Sequence, residues 1–188
     1  MSFIDTSQFL NTSLKYLVDV QVKSYGEASF KRCGAHFTPE KLHLFLRKGV
    51  FPYNYLSKEE VLEDKQLPKK EAFFSGLGNE HISDEDYEQA QRVWREKRCE
   101  ALWDYTRCYL EADTLQLADV FSAHRSVCFT RYGLDCAHYL PLPMYGWDAA
   151  LKTSKIQLEI LSDFEKYNLI ERSTRGKLAF RAGIIDKH

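Results

Sequence analysis

The sequence contains no long uninterrupted hydrophobic run, although 44% of its 188 residues are hydrophobic. A membrane-spanning helix needs about 18 or more consecutive apolar residues, so no transmembrane segment is indicated. The N-terminus also lacks a basic region followed by an apolar stretch, which argues against a secretory signal. We therefore expect an intracellular protein that has no membrane partner. The length is suited to one hydrophobic core of ordinary size.

Excess charge and paired cysteines are also lacking. The formal net charge is −1, so any contact with nucleic acid has to rely on local basic clusters rather than on a global positive field. The five cysteines are scattered and form no CxxC motif, and we interpret them as reduced thiols. The nearest approach to a zinc pattern is Cys33-x2-His36 followed by His43, which lacks a suitably spaced fourth ligand.

The strongest secondary-structure signal is the stretch from Asp104 to Tyr132. Asp104 is placed to cap the start of a helix, and Gly133 supplies a left-handed end. Apolar residues recur between them at helical spacing, namely Leu110, Leu117, Val120, Phe121, Val127 and Cys128. The pattern predicts one long, mostly buried helix.

Tyr109 and Asp113 stand four residues apart in this helix, so their side chains share one face. A carboxylate beside a phenol can ligate a hard divalent cation while the hydroxyl orients a water or a phosphate oxygen. The ordinary alternative is an exposed Asp beside a half-buried Tyr. Glu111 and Asp119 lie about 200° and about 240° around the helix from Asp113, so neither shares a metal with it on one face.

The run YLEADTLQLADVF, which contains Tyr-x3-Asp, resembles the third exonuclease motif of family B DNA polymerases. The similarity is to the protein-primed group of phages and Polinton/Maverick-type transposons. Before this run, the stretches FIDTSQFLNTSL, RKGVFPYNYLS and LPKKEAFFSGLGNEHISDEDYEQAQRVW resemble the same group in the same order. After it come YGLDCAHYLPLPMYGWDAALK and LIERSTRGK. The resemblance extends from about Phe3 to Lys177.

The resemblance implies a helix-dominated α/β fold, an incomplete ribonuclease H-like exonuclease domain. Residues 1–160 would be the C-terminal part of the 3′-5′ exonuclease domain, and residues 161–188 a connector toward the polymerase palm domain. The implied function is that of a fragment of a DNA-directed DNA polymerase, a nucleotidyltransferase of DNA replication. Such a protein would be nuclear if it derives from a eukaryotic transposable element.

The same resemblance assigns roles to three residues of the exonuclease site. Asp113 corresponds to a metal ligand and Tyr109 to its catalytic neighbour. Lys48 corresponds to a lysine that contacts the scissile phosphate, where a positive charge stabilises developing negative charge. Without the resemblance, Lys48 would be a solvated lysine at a helix C-terminus, a position that the helix dipole favours.

DNA-binding roles follow for two further segments. A single-stranded-DNA-binding motif falls on Thr6 to Leu10, with Ser7 in place of the usual Leu; the alternative role for Thr6 is a helix cap. A template-contacting motif falls on Arg175, Gly176 and Lys177, where Lys177 replaces a glycine. Because glycine permits close approach to phosphate, this replacement departs from the family pattern. A local basic cluster remains, which is either solvated charge or a site for phosphates.

The family exonuclease binds two Mg²⁺ or Mn²⁺ ions through four carboxylates, and three of them belong to motifs that would precede Met1. One aspartate cannot hold both ions, so we expect no exonuclease activity from this chain by itself and leave open whether it binds an ion at all. The implied partners are single-stranded DNA and the terminal protein of the parent family. The alternative is a co-opted, non-enzymatic module that binds single-stranded DNA or a protein.

Weaker patterns predict the remaining elements. Phe3 and Ile4 are expected to end a strand, and Asp5-Thr6-Ser7 to turn into a helix that carries Leu10, Leu14, Leu17 and Val18. Pro39 is expected to start a short helix, and residues 52–83 to form a surface excursion with a helical piece at Lys58 to Glu63.

The rest of the chain is expected to contain three further helices. Ser83 should cap a helix from Asp84 to Arg98, and Tyr145 to Lys152 should be helical with Trp147 as a core anchor. Ile156 to Leu161 is interpreted as a strand or turn, and Ser162 as the cap of a last helix.

Overall fold

The computed structural model describes residues 5–47, 49–74, 80–159 and 161–173. Within these ranges the regular structure is helical. The α-helices are α1 (Leu14–Tyr25), α2 (Lys31–His36), α3 (Pro39–Phe45), α4 (Asp84–Glu96), α5 (Leu102–Tyr132), α6 (Leu142–Ser154) and α7 (Phe164–Ser173). Short 3₁₀ helices cover Thr6–Gln8, Glu27–Ser29, Glu59–Glu63, Lys70–Phe73 and Cys136–His138. The expected dominance of helices is confirmed.

No β-strand occurs in the described ranges. The predicted strand end at Phe3 and Ile4 lies outside them. Residues 156–159 and 161 are irregular and exposed, so the prediction of a strand or turn there is wrong for these residues. The chain divides into two compact units, residues 1–147 and residues 148–188, and this boundary falls inside α6. The functional division at residue 160 is a different one and stays a prediction.

The long central helix is confirmed as α5, which starts two residues earlier than predicted. The prediction that it is mostly buried is wrong, since ten of its 31 residues are buried and Leu110 and Val127 of its apolar pattern are exposed. Asp104 caps it from within the first turn, because its Oδ2 accepts hydrogen bonds from the backbone N–H groups of Glu100 (2.9 Å) and Ala101 (3.1 Å). Gly133 ends the helix with φ 63° and ψ 28°, the left-handed conformation that glycine adopts without steric cost.

The first hydrophobic core of unit 1 lies between α5 and the three N-terminal helices. Phe30 and Phe37 enter it beside α2, and Phe45 stacks on Phe37 with ring centroids 4.0 Å apart. From α5 the core receives Cys108, Ala112 and Val120, and from α1 it receives Val18. These contacts dock α1, α2 and α3 onto one face of the long helix.

Asp119 joins α2 to α5. Its buried carboxylate accepts hydrogen bonds from the backbone N–H groups of Arg32 (3.0 Å) and Cys33 (3.0 Å), and it pairs with the Arg32 guanidinium at 3.1 Å. The first N–H groups of a helix have no partner within the helix, so a residue of α5 here caps α2. Burial and the Asp119 charge together raise the pKa of Cys33 to about 12.

A second core lies at the N-terminal end of α5. Leu102 and Tyr105 pack with Ala90 of α4 and with Phe73 of the 3₁₀ helix Lys70–Phe73. The Tyr105 hydroxyl donates to the backbone carbonyl of Val50 at 2.6 Å. The prediction of a surface excursion over 52–83 is therefore only partly right, since Phe73 is buried in this core.

Several local predictions hold with shifted boundaries. Pro39 is the first residue of α3, and Ser83 caps α4 by accepting from the N–H of Asp86 at 3.1 Å. The helical piece expected at Lys58 is the 3₁₀ helix Glu59–Glu63. Helix α4 ends two residues before the predicted Arg98, which has a positive φ of 52° and cannot continue a helix.

Three local predictions are wrong. The N-terminal helix does not follow the first turn: Asp5 caps a 3₁₀ turn through the N–H of Ser7, and α1 begins later, after its own cap Ser13. Trp147 is 60% exposed and is no core anchor. The start of α7 is capped by Asp163, whose Oδ1 accepts from two backbone N–H groups, and not by Ser162.

Candidate functional site

Tyr109 lies on the face of α5 that meets the segment after α3. Its ring packs against Phe51 with centroids 4.9 Å apart, and only 9% of the residue is exposed. A Cβ added at Gly49 would come 3.2 Å from Tyr109 Cδ2, so the backbone at this glycine passes close over the ring. Two segments to which the sequence assigns separate motifs, 47–57 and 109–121, therefore meet here.

The Tyr109 hydroxyl is hydrogen-bonded to the Tyr53 hydroxyl at 2.7 Å. Burial, this hydrogen bond and the nearby charge of Asp113 raise the pKa of Tyr109 above its usual value. The phenol is therefore protonated throughout the physiological pH range. Its one hydrogen can be donated to Asp113, to Tyr53 or to the oxygen of a ligand, but only to one of them at a time.

Asp113 lies one turn further along α5 and is partly exposed. It is close enough to Tyr109 to form a hydrogen bond with it, as the i, i+4 spacing predicts. The ordinary interpretation of the pair, an exposed Asp beside a half-buried Tyr, understates the contact. Tyr109 is nearly fully buried, and the two side chains interact.

Neighbouring carboxylates of α5 point away from Asp113 to other partners. Glu111 pairs with Arg107 Nε at 2.9 Å and with His36 Nε2 at 3.1 Å. Asp119 caps α2. Among the described residues, the one group of three or more His, Cys, Asp or Glu side chains with metal-binding geometry does not include Asp113. Asp113 is therefore the one carboxylate that the described residues offer at this site, which is too few for a two-metal centre.

The segment on which Lys48 lies contacts α5 on both sides of that residue. Gln116, which is fully buried, donates through Nε2 to the carbonyl of Phe45 and, at 3.4 Å, to that of Arg47. Gly49 packs on Tyr109 one residue beyond Lys48. Lys48 itself lies outside the described residues, so these contacts do not test its predicted role.

A cavity of about 30 Å³ lies behind this contact, between α4, α5 and the end of α3. Its walls are largely apolar, and the polar groups in them are already paired. Arg47 forms an ion pair with Asp86, and Gln89 Nε2 donates to the Leu44 carbonyl at 2.9 Å. The cavity has room for about one or two water molecules and not for a nucleotide.

The predicted DNA-binding residues lie in other segments. Thr6 is the first residue of the N-terminal 3₁₀ turn, and its carbonyl accepts from the N–H groups of Phe9 and Leu10. The cap of this turn is Asp5 and not Thr6. Phe9 packs edge-on against Phe121, eight residues or about 12 Å along α5 from Asp113. Arg175, Gly176 and Lys177 lie outside the described residues.

The sequence reasoning missed a cluster formed by His124, Cys128 and Cys136. The ligand atoms of these three residues all lie within 4.8 Å of one another. Separations of four and eight residues do not form a recognised zinc spacing, which is why scanning for paired cysteines passes over it. The Cys33, His36 and His43 pattern forms no such group in the described residues. All five cysteines are free, as expected.

Comparisons with models of known protein families, with curated proteins and with solved structures gave no match to this chain. Within the described ranges, none of the helices combines the length and the apolar composition that crossing a bilayer requires.

Proposed function

We propose that this chain is part of the 3′-5′ exonuclease domain of a protein-primed family B DNA polymerase and acts in DNA replication by holding the 3′ end of single-stranded DNA. The ribonuclease H-like fold and the assignment of residues 161–188 to a connector belong to the same proposal. The observation that carries it is the meeting of the 47–57 and 109–121 segments at Gly49, Tyr53 and Tyr109. Two motifs that the resemblance places in one site are in contact.

The roles within this site follow from the side chains present. Asp113 supplies a carboxylate toward a Mg²⁺ or Mn²⁺ ion, and the Tyr109 hydroxyl turns its hydrogen from that carboxylate to a phosphate oxygen or water when a ligand binds. Lys48 supplies a positive charge for the scissile phosphate. Because the carboxylates near Asp113 are engaged elsewhere, we propose that the chain binds DNA but does not hydrolyse it without additional acidic residues.

The test uses a single-stranded oligonucleotide labelled at its 3′ end, incubated with the purified chain and Mg²⁺ or Mn²⁺ beside Asp113→Ala. We expect no shortening by either protein, and retention of the DNA that weakens as salt rises. Metal-dependent shortening that Asp113→Ala abolishes would show a complete catalytic site and overturn the incomplete-site proposal. Absence of retention even at low salt would overturn the DNA-binding role.

A matched pair of lysine variants sharpens the assignment of Lys48. Lys48→Ala should weaken retention of the DNA. It should also lower the slope of log binding constant against log salt concentration by the amount expected for about one phosphate contact. Lys23→Ala changes an exposed lysine in the last turn of α1 and should leave retention unchanged. Equal loss in both variants would indicate non-specific attraction to the basic groups of the surface.

A second candidate function is a co-opted, non-enzymatic module that binds single-stranded DNA or a protein. The observation that favours a protein partner is a set of large apolar side chains exposed in unit 1 after residue 128, which comprises Phe129, Tyr132, Leu140, Leu142, Met144 and Trp147. Exposed apolar side chains that form a contiguous patch are typical of binding surfaces. Retention of the oligonucleotide by the wild-type chain, lost in Lys48→Ala, would favour the first candidate over a purely protein-binding module.

A further inference from the structure

The cluster of His124, Cys128 and Cys136 is the strongest chemical feature outside the Tyr109 site. His124 and Cys128 stand four residues apart on α5, so both side chains leave the same face of the helix. Cys136 returns to that face because the left-handed Gly133 turns the chain and the 3₁₀ helix Cys136–His138 begins directly afterwards. Three soft or borderline ligand atoms converge from one helix and one turn.

The distances agree with metal coordination. In a tetrahedral zinc site, sulfur and nitrogen ligands about 2.3 Å and about 2.0 Å from the ion lie about 3.5 Å from each other. Here Cys128 Sγ and His124 Nε2 are 3.5 Å apart, and all three ligand atoms lie within 4.8 Å of one another. The thiols of Cys128 and Cys136 are also in hydrogen-bonding contact. An ion can therefore enter with side-chain adjustments of about 1 Å or less.

The surroundings hold the three ligands in place. Arg125 forms a two-pronged ion pair with Asp135, including Nε to Oδ1 at 2.9 Å, and so fastens the turn before Cys136 to the end of α5. The Asp135 carboxylate also caps the 3₁₀ helix by accepting from Ala137 N–H at 3.0 Å. The buried Tyr145 hydroxyl donates to the Cys128 carbonyl at 3.2 Å. The ligands are held before any ion arrives.

The burial of the three side chains agrees with an ion that solvent reaches from the side of His124. Cys128 and Cys136 are buried, whereas His124 is partly exposed. We propose that His124, Cys128 and Cys136 bind a Zn²⁺ ion through one nitrogen and two sulfur atoms, with water in the fourth position. Three protein ligands and an open position are the usual arrangement for zinc that remains accessible to small ligands. This proposal does not depend on a role in DNA binding.

The test is metal binding by the purified, reduced chain after removal of metals with a chelator. Titration with Zn²⁺ against a chromophoric chelator should give one equivalent bound. Replacing Zn²⁺ by Co²⁺ should give a thiolate-to-cobalt charge-transfer band of the intensity expected for two thiolates. Neither readout needs a variant, so the proposal stays testable if a substitution prevents folding. No bound metal, or a cobalt spectrum without thiolate ligation, would overturn it.

Variants assign the ligands. Loss of an outer-sphere partner weakens zinc binding by about 10–100-fold, so loss of a direct ligand in His124→Ala or Cys136→Ser should weaken it by roughly a hundredfold or more. The matched controls are Cys99→Ser and His43→Ala, which lie outside the cluster and should bind Zn²⁺ like the wild type. Equal weakening in these controls, or a Cys128–Cys136 disulfide in the protein as purified together with no metal binding, would contradict the assignment.

Discussion

Residues 102–120 and residues 121–132 belong to one helix but differ sharply in burial. The first segment contains nine of the ten buried residues of α5, whereas Cys128 alone is buried in the second. The first segment is covered by α1 to α4 and by the loop after α3. In the second, Phe129 is 61% exposed, and Val127 and Tyr132 are exposed as well. Both segments continue the same helical pattern, so helical periodicity predicts the element without predicting what covers it.

The polar groups of the two segments differ in the same way. In the first, Gln116 and Asp119 are buried and bond to backbone groups of neighbouring segments, so they fix how α2 and α3 dock on α5. In the second, the side chains of His124 and Cys128 meet Cys136 of the short 3₁₀ helix that follows α5. The first segment thus organises the fold, while the second offers a ligand cluster and an exposed apolar surface.

The largest expected effect is a loss of stability from Leu102→Ala. Leu102 is fully buried in the second core, and removing a buried Leu side chain leaves a cavity that costs about 3–4 kcal/mol. Phe129→Ala removes a larger side chain from the exposed segment and should change the free energy of unfolding by less than about 0.5 kcal/mol. Urea unfolding followed by far-UV circular dichroism measures both.

The control for Leu102→Ala is the same Leu-to-Ala change at an exposed position, Leu110→Ala. Leu110 lies in the first segment of α5 but is 56% exposed. Its removal should also cost less than about 0.5 kcal/mol, because little apolar area returns to water. If Leu110→Ala were as damaging as Leu102→Ala, position along the helix would matter more than burial, and the contrast between the segments would fail.

The next effect is expected from Asp119→Ala. The substitution leaves the N–H groups of Arg32 and Cys33 without their acceptor and removes the partner of the Arg32 guanidinium, which should cost about 2–3 kcal/mol. Asp119→Asn retains one acceptor oxygen and should lose less stability than Asp119→Ala. Chemical denaturation of the three proteins checks the order, with Asp19→Ala on the exposed face of α1 as the neutral control. A loss in Asp119→Ala no greater than in Asp19→Ala would contradict the capping role.

Elements marked by local signals could be predicted from the sequence. Gly133 fixes the end of α5, and Ser83 and Pro39 fix the starts of α4 and α3. Each acts through a backbone conformation or a hydrogen bond that involves only nearby residues. The contact between Tyr109 and Asp113 also follows from the geometry of a single helix. Such features need no knowledge of the tertiary structure.

Features decided by tertiary contacts could not be predicted in this way. Asp119 repeats no local motif, and its role as the cap of α2 joins residues 86 and 87 positions apart in the sequence. The sequence predicts Trp147 in the core because isolated aromatic residues mostly pack, yet its side chain is 60% exposed. The zinc-binding cluster also depends on where Gly133 turns the chain, and not on a recognised spacing of cysteines.

A smaller effect is expected for the hydroxyl pair of the candidate site. Tyr109→Phe and Tyr53→Phe each remove one partner of a 2.7 Å hydrogen bond. Each should cost about 1 kcal/mol or less, and the double variant should cost little more than either single one. The four proteins of this double-mutant cycle are compared by urea unfolding. Additive losses would mean that the two hydroxyls contribute independently and would contradict the hydrogen bond between them.

The smallest effect is expected from Glu111→Gln, and it depends on pH. Partial burial of Glu111 opposes ionisation, but hydrogen bonds from Arg107 and His36 outweigh it and lower the pKa of Glu111 below its usual value. A carboxyl whose pKa is lower in the folded protein stabilises the fold above its unfolded-state pKa and loses this contribution as pH falls through the folded-state pKa.

At neutral pH, the free energy of unfolding of the wild type should therefore exceed that of Glu111→Gln by only roughly 0.5 kcal/mol, because the carboxylate is partly exposed and screened by solvent. The difference should persist down to about pH 5 and vanish at lower pH, where both side chains are neutral. Thermal unfolding of the two proteins across this pH range measures it. Raising the salt concentration should shrink the difference as well, since the pair is screened. A pH-independent difference would instead assign the role of Glu111 to packing, as for the buried side chains of residues 102–120.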